Sequence, residues 1–216
     1  MQKKPAKVPV HRPPPPKHVR IIGGAWKRSQ LPVLDALGLR PTPDRVRETV
    51  YNWISHLWDH QWQTARVLDL FAGSGALGLE AASRGAAAVT LIDSHPQVVR
   101  QLGEIKDKLH ADNVTVQRAD ALAAAATLAA RGARYDLVFL DPPYQQDLLS
   151  KSLPLCLDLL DEDGLVYVES GTPLPFPQPE TVDAPPTPAW LAPWRAVRED
   201  KAGIVFYYLL QRRTVD

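Results

Sequence analysis

Asp141-Pro-Pro-Tyr144 joins a carboxylate, two ring-locked backbone units and an aromatic face within four residues. Such a set can act on the exocyclic amine of a base. The lone pair of that nitrogen is delocalised into the ring, so it must be freed while the nitrogen is aimed at an electrophile. Asp141 and the carbonyl of Pro142 can accept the two N–H bonds, and Pro143 stiffens that carbonyl. Tyr144 offers a flat surface on which a base stacks once it has left its helix or loop. These four are the candidate catalytic residues. A methyl group carried on a sulfonium needs no acid, because the sulfur departs neutral; Asp141 would position the amine and stabilise charge, or act as general base. On their own the four residues also describe a Pro-Pro turn capped by an aspartate.

A second cluster, Val67-Leu-Asp-Leu-Phe-Ala-Gly-Ser-Gly-Ala-Leu-Gly78, reads as an apolar strand, a glycine turn and a helix start. Gly73 and Gly75 let the backbone bend sharply and approach a ligand. Gly73-Ser-Gly-Ala-Leu-Gly78 also fits the G-x-G-x-x-G fingerprint of NAD enzymes. Two features oppose that reading. Asp69 precedes Gly73 by four residues, where a pyrophosphate wants no negative charge but the cationic amino group of S-adenosylmethionine finds a partner. A dinucleotide fold usually opens with this strand, whereas here some 65 residues come first. Asp93 ends the next apolar run, where a carboxylate matches two ribose hydroxyls. Asp120, past the third, can meet an adenine amino group, cap the helix over Ala121–Ala130, or do both. Asp69, Phe71, Gly73, Gly75, Asp93 and Asp120 are the candidate cofactor-binding residues.

These clusters need strands to carry them. Short runs rich in Val, Ile and Leu recur at Val67–Phe71, Ala88–Asp93, Val114–Gln117, Leu137–Asp141 and Leu165–Glu169. Helical segments beginning near Ala76, Pro96, Leu122 and Asp147 lie between them, with Ser94 and Pro96 marking one start. Strands without polar alternation, separated by helices, predict a parallel sheet covered on both faces. Residues 171–193, with eight prolines, form an irregular connection; Trp194–Val197 and Ile204–Leu210 then read as a hairpin. The fold class is α/β, Rossmann-like, with a seven-stranded and mostly parallel sheet ending in an antiparallel hairpin. That is the shape of class I S-adenosylmethionine-dependent methyltransferases.

Three segments are expected. Residues 1–19 hold six of the 21 prolines and form a disordered basic arm. Residues 20–65 add a hairpin within Arg20–Val33 and a helix capped by Thr42 or Asp44, along which Val46, Val50, Trp53, Ile54 and Leu57 share a face. Residues 66–216 are the methyltransferase domain. The net charge of +1 hides an uneven layout. Eight of the 25 Lys and Arg fall in residues 1–30 with no acid, leaving 17 against 24 Asp and Glu in the rest. A basic arm on an acidic body suits a nucleic-acid partner, or merely solubilises the tail. The single cysteine, Cys156, excludes an intrachain disulfide and a multi-cysteine metal site, and its apolar surroundings fit a packed thiol. No metal site is read. No run has the ~18 apolar residues of a membrane helix, and the N-terminus lacks the apolar core of a secretory signal, so a cytoplasmic location is expected.

Residues 20 to about 170 resemble the bacterial ribosomal RNA methyltransferases that modify the 2-amino group of a guanine in small-subunit (16S) RNA. The resemblance rests on Arg20-Ile-Ile-Gly-Gly24, Gly38-Leu-Arg-Pro-Thr42, Asp44-Arg-Val-Arg-Glu-Thr49 with Asn52-Trp53, Asp69-Leu-Phe-Ala-Gly-Ser-Gly75 with Leu77-Gly-Leu-Glu-Ala81, and Asp141-Pro-Pro-Tyr144. Lys201-Ala-Gly203 is similar to the family's C-terminal end. The Arg-Pro-Thr and Asp-Arg-Val-Arg-Glu segments are the specific ones; the others occur across amino methyltransferases. The chain departs from the family in Pro43, in the absence of a glycine-arginine turn over Lys27–Gln30, and in its proline-rich arm. The resemblance implies S-adenosylmethionine as donor and guanine in the small subunit or its assembly intermediate as acceptor; a monomer is expected. It implies RNA contact by the hairpin and first helix, with Arg20, Lys27, Arg28, Arg40, Arg45 and Arg47 as candidates. Arg40, Arg45 and Arg47 would touch phosphate, order the cofactor pocket, or pair with Asp44 and Glu48. Methylation of adenine in DNA or of a glutamine amide uses a similar loop, commonly with Asn first. A non-catalytic RNA-binding assembly factor is the alternative of another class, against which the intact Asp141–Tyr144 loop argues.

Overall fold

The computed structural model describes residues 17–34, 42–143, 147–176 and 186–213. Most of the expected arm, Arg40, Tyr144 and part of the proline-rich connection lie outside them. The chain opens with strands β1 (His18–Arg20) and β2 (Gln30–Pro32), paired antiparallel, and helix α1 (Asp44–Leu57). Then follow β3 (Arg66–Asp69), α2 (Ala76–Ser83), β4 (Ala88–Asp93), α3 (Pro96–Leu109), β5 (Val114–Arg118), α4 (Ala121–Ala130), β6 (Tyr135–Leu140), α5 (Leu149–Leu155) and β7 (Leu160–Ser170). Strands β8 (Trp194–Ala202) and β9 (Val205–Arg212) end it.

Strands β3 to β9 form one sheet in the order β5-β4-β3-β6-β7-β9-β8, parallel from β5 to β7 and antiparallel through β9 and β8. The chain winds outward from β3 to β5, returns, and winds the other way from β6. The order therefore reverses between β3 and β6, the position where open α/β sheets bind ligands at the carboxyl ends. Alternation along each strand sorts side chains into two cores. Val67, Leu137, Phe139, Leu165 and Tyr167 face α1, α2, α3 and the β1–β2 hairpin. Leu68, Val138, Leu140, Val166 and Val168 face α4 and α5. Cys156 is buried in this second core, and burial pushes its thiol up, as befits an inert packed sulfur.

Several boundaries differ from expectation. β8 runs to Ala202, well past Val197, across an irregularity between Ala196 and Arg198; as a polar edge strand it carries no apolar run to mark its length. Neither Thr42 nor Asp44 caps α1. Pro43 occupies the cap without a side-chain hydrogen bond, because the Thr42 hydroxyl and the Asp44 carboxylate are engaged elsewhere. In α3 Pro96 takes the first turn as expected, but His95 is the cap, its Nδ1 accepting the Gln97 amide at 3.3 Å.

Candidate active site

The turn after β3 is built so that α2 starts almost on top of Asp69. Gly75 takes a left-handed φ of 78° to cap α2, and a Cβ there would lie 2.6 Å from Leu102. At Gly78 a Cβ would fall 2.2 Å from Leu91, so only glycine lets the helix approach. Its amide then donates to Asp69 Oδ2 at 3.0 Å. Asp69 is 1 % exposed, and its Oδ1 has no hydrogen-bond partner among the described residues. Burial raises its carboxyl to about 7, opposed by the amides of Gly78 and Phe71 and aided by the nearby Asp93.

Asp93 ends β4 and ties the two turns together, accepting the Gly73 amide at 3.0 Å and the His95 amide at 2.8 Å. Phe71 is partly buried against the α4–α5 core. Asp120 is exposed and caps α4, accepting the Ala123 amide at 2.9 Å. The cap is therefore present; that bond leaves its second carboxylate oxygen for a ligand.

β3 and β6 are direct neighbours, with Asp69 in register with Phe139. Asp141 thus stands two residues beyond Asp69 on the adjacent strand and on the same face. Pro142 is buried and Pro143 exposed. Asp141 is partly exposed, yet crowding raises its carboxyl well above the usual range; burial is the main cause, then the charges of Glu169 and Asp69, with a Thr42 hydrogen bond opposing. A cleft of about 420 Å³ opens beside this loop, lined by Pro142, Pro143, Leu148, Glu169, Thr172 and Trp190 among others.

The sequence reading did not single out two acids that the structure makes central. Glu169, at the end of β7, accepts the Tyr167 hydroxyl at 2.8 Å and the Thr42 hydroxyl. Glu80, fully buried in α2, accepts the amides of Ile22 at 2.6 Å and Gly23 at 2.8 Å and the Arg84 guanidinium at 2.9 Å. The signal for Glu169 was available: β3, β6 and β7 each close an apolar run with an acid at the same alternation. Glu80 carried none beyond an acid inside an otherwise apolar helix.

The proposed RNA-contacting residues separate. Arg47 is fully buried, donating to Asp44 at 2.7 Å and to the Arg20 carbonyl at 2.8 Å, with Glu80 3.7 Å away. It cannot meet a phosphate there, and the expectation of RNA contact is corrected to the pairing with Asp44, which is buried at the arginine rather than fully at the surface. Arg20 is exposed and pairs with Asp44 at 2.7 Å; Arg45 is exposed at the start of α1. Lys27 and Arg28 are exposed in the hairpin turn, beside Ser83 at the far end of α2. Arg40 lies outside the described residues. Among those described, no group of three or more His, Cys, Asp or Glu is arranged to hold a metal, and no helix is long and apolar enough to cross a membrane.

A doubly wound sheet ending in an antiparallel pair, with an acidic glycine turn facing an Asp-Pro-Pro loop, defines the class I S-adenosylmethionine-dependent methyltransferase fold. The donor set suits that cofactor: the buried Asp69 carboxylate oxygen, without a partner among the described residues, fits a cationic amino group. Comparison with known proteins narrows the class. The model of the family described as conserved hypothetical protein 95 matches residues 19–211. The ribosomal RNA small subunit methyltransferase D of Escherichia coli is 43% identical over 196 residues, covering 90% of each chain. Its Haemophilus influenzae namesake is 36% identical over 199 residues, 89% of this chain and 93% of that protein. A solved methyltransferase structure from Escherichia coli superposes with a TM-score of 0.70 at 40% identity, covering 92% of this chain and 99% of that one. The chain belongs to this family of small-subunit ribosomal RNA methyltransferases.

Proposed function

We propose that the chain transfers the methyl group of S-adenosylmethionine to the 2-amino group of a guanine in small-subunit ribosomal RNA, acting as a cytoplasmic monomer on the subunit or an assembly intermediate. The observation that carries this is the adjacency of β3 and β6, which sets the Asp69 turn and the Asp141 loop at neighbouring strand ends. S-adenosylmethionine, when bound, supplies a methyl carbon made electrophilic by a positive sulfur. Asp69 receives its amino group, Asp93 its ribose hydroxyls and Asp120 its adenine, with Phe71, Gly73 and Gly75 shaping the turn. Asp141 and the Pro142 carbonyl hold the amine of the base, and Tyr144 stacks on its ring. Asp141 would take the proton that the amine gives up as its nitrogen gains the methyl group, the sulfur of the donor departing neutral. A carboxyl raised by burial beside like charges is a better proton acceptor than a surface aspartate.

The residues before β3 serve as an RNA-facing extension, with Arg20 and Arg45 nearest the cleft. The test is methyl transfer to small subunits from cells lacking this gene, followed by mass spectrometry of the RNA nucleosides. The wild type should yield 2-methylguanosine. Asp141→Ala should lower kcat by on the order of 100-fold or more with S-adenosylhomocysteine binding retained. Undiminished transfer by that variant, or binding of NAD in its place, would defeat the proposal.

A further inference from the structure

Glu169 ends β7 with 2 % of its surface exposed. A carboxylate taken out of water costs several kcal/mol unless something compensates, and the neighbouring Asp141 adds repulsion. Its position is nevertheless tightly fixed. Oε1 receives a hydroxyl from Tyr167 on its own strand and another from Thr42, which leads into α1. The β6–β7 register pairs Leu140 with Val168, so one step further sets Glu169 beside Asp141, a strand spacing of about 4.8 Å away. Glu169 also lines the cleft together with Pro142 and Pro143. A base whose amine is gripped by Asp141 and the Pro142 carbonyl therefore has Glu169 alongside.

The purine and pyrimidine amines differ in what stands next to them. In guanine one of the two ring nitrogens beside the 2-amino group, N1, carries a proton and extends the row of donors, while N3 on the other side carries a lone pair. In adenine and cytosine the ring nitrogen beside the amine carries a lone pair. A carboxylate at that point accepts from the first and repels the others, which is discrimination by an attractive and a repulsive contact at once. We propose that Glu169 is the specificity-determining residue of the site, its carboxylate accepting the ring N1–H of guanine while Asp141 and Pro142 hold the adjoining amine. This rests on the guanine reading above.

The experiment uses 2-aminopurine, which keeps the 2-amino group but has a lone pair at N1. Once the methylated guanine is identified by nucleoside mass spectrometry and located by mass mapping of ribonuclease fragments, small subunits are rebuilt with 2-aminopurine at that position. kcat/KM is compared for the two substrates. The wild type should favour guanine by on the order of 100-fold. Glu169→Gln can donate from its amide to the lone pair, and should shrink that preference to about tenfold or less, or invert it, with S-adenosylhomocysteine affinity unchanged. If both substrates lose rate equally and the ratio stands, Glu169 is only an anchor for Thr42 and Tyr167, and the proposal is overturned. Should Glu169→Gln fail to fold, Glu169→Asp keeps the charge but withdraws it by one methylene. It must narrow the ratio as well, and an unchanged ratio overturns the proposal equally. A methyl group found on adenine or cytosine in the first step removes the guanine reading itself, an outcome distinct from an unchanged ratio.

Discussion

A carboxyl cut off from water and set near like charges holds its proton longer than one on the surface, and Asp69 is such a group. Its carboxyl titrates near 7 in the folded chain and near 3.8 when unfolded. The folded state thus binds the extra proton between those values. The stabilisation this group offers is full below about pH 4 and is lost as pH rises through about 7. Asp69→Asn removes the titration, so the variant should melt above the wild type at pH 8, with the gap narrowing steadily as pH falls toward 4, by calorimetry without ligand. The cationic amino group of the cofactor favours the ionised form. Affinity for S-adenosylhomocysteine should therefore be level above about pH 7.5 and fall by up to tenfold per unit below 7. Titrations in buffers of different ionisation heat should register the released proton. Asp69→Asn should lose most of the affinity and its pH dependence together. Asp69 and Asp141 were legible in the sequence because each belongs to a motif with glycine or proline neighbours. Glu169 was legible only by comparing the ends of three strands, since a single acid after an apolar run says little by itself.

Elements are joined through Glu80. The turn after β1 lays the amides of Ile22 and Gly23 on its carboxylate, while the Ser83 hydroxyl and carbonyl hold Gly23, Ala25 and Trp26. Gly24 makes the contact possible, with φ at 76° and a Cβ position only 1.9 Å from the Ser83 carbonyl oxygen. Arg47 from α1 reaches the same carboxylate. The hairpin and first helix were legible as elements from their spacing and turn residues. Their attachment was not, because nothing in a helix read alone tells a buried glutamate from an exposed one. Glu80→Gln removes one of the two carboxylates beside the buried Arg47, leaving Asp44, and weakens the bonds to the hairpin. Breaking a buried pair costs about 3–5 kcal/mol, so thermal unfolding should drop by roughly 10 °C. Amide exchange over residues 18–32 should accelerate more than over β3, β4 or β6. A variant that exchanged evenly would place the pair outside the hairpin's anchorage.

At the scale of the whole molecule, the sheet and the charge layout point the same way. The acids of the site sit at the carboxyl ends of the parallel strands, and so does the start of α1, where Thr42 is held by Glu169 on β7 and Arg45 stands near Asp200 on β8. The hairpin turn lies at the other end of α2, eight residues or about 12 Å along the helix from Gly75. The basic N-terminal stretch was evident from composition, but composition has no geometry. It could not say that Lys27 and Arg28 point away from the cleft or that Arg47 is internal. RNA reaching Asp141 must pass the end that carries Arg45. Arg45→Gln should therefore weaken binding to small-subunit RNA several-fold and lower the slope of log affinity against log salt by about 0.7–0.9, one phosphate contact. Lys27→Gln, of equal charge change, should do less on both counts, and neither should alter S-adenosylhomocysteine binding. RNA titrations at four or five salt concentrations rank the two variants. The reverse ranking would mean that the RNA lies along the hairpin turn and enters the cleft from the side of α2.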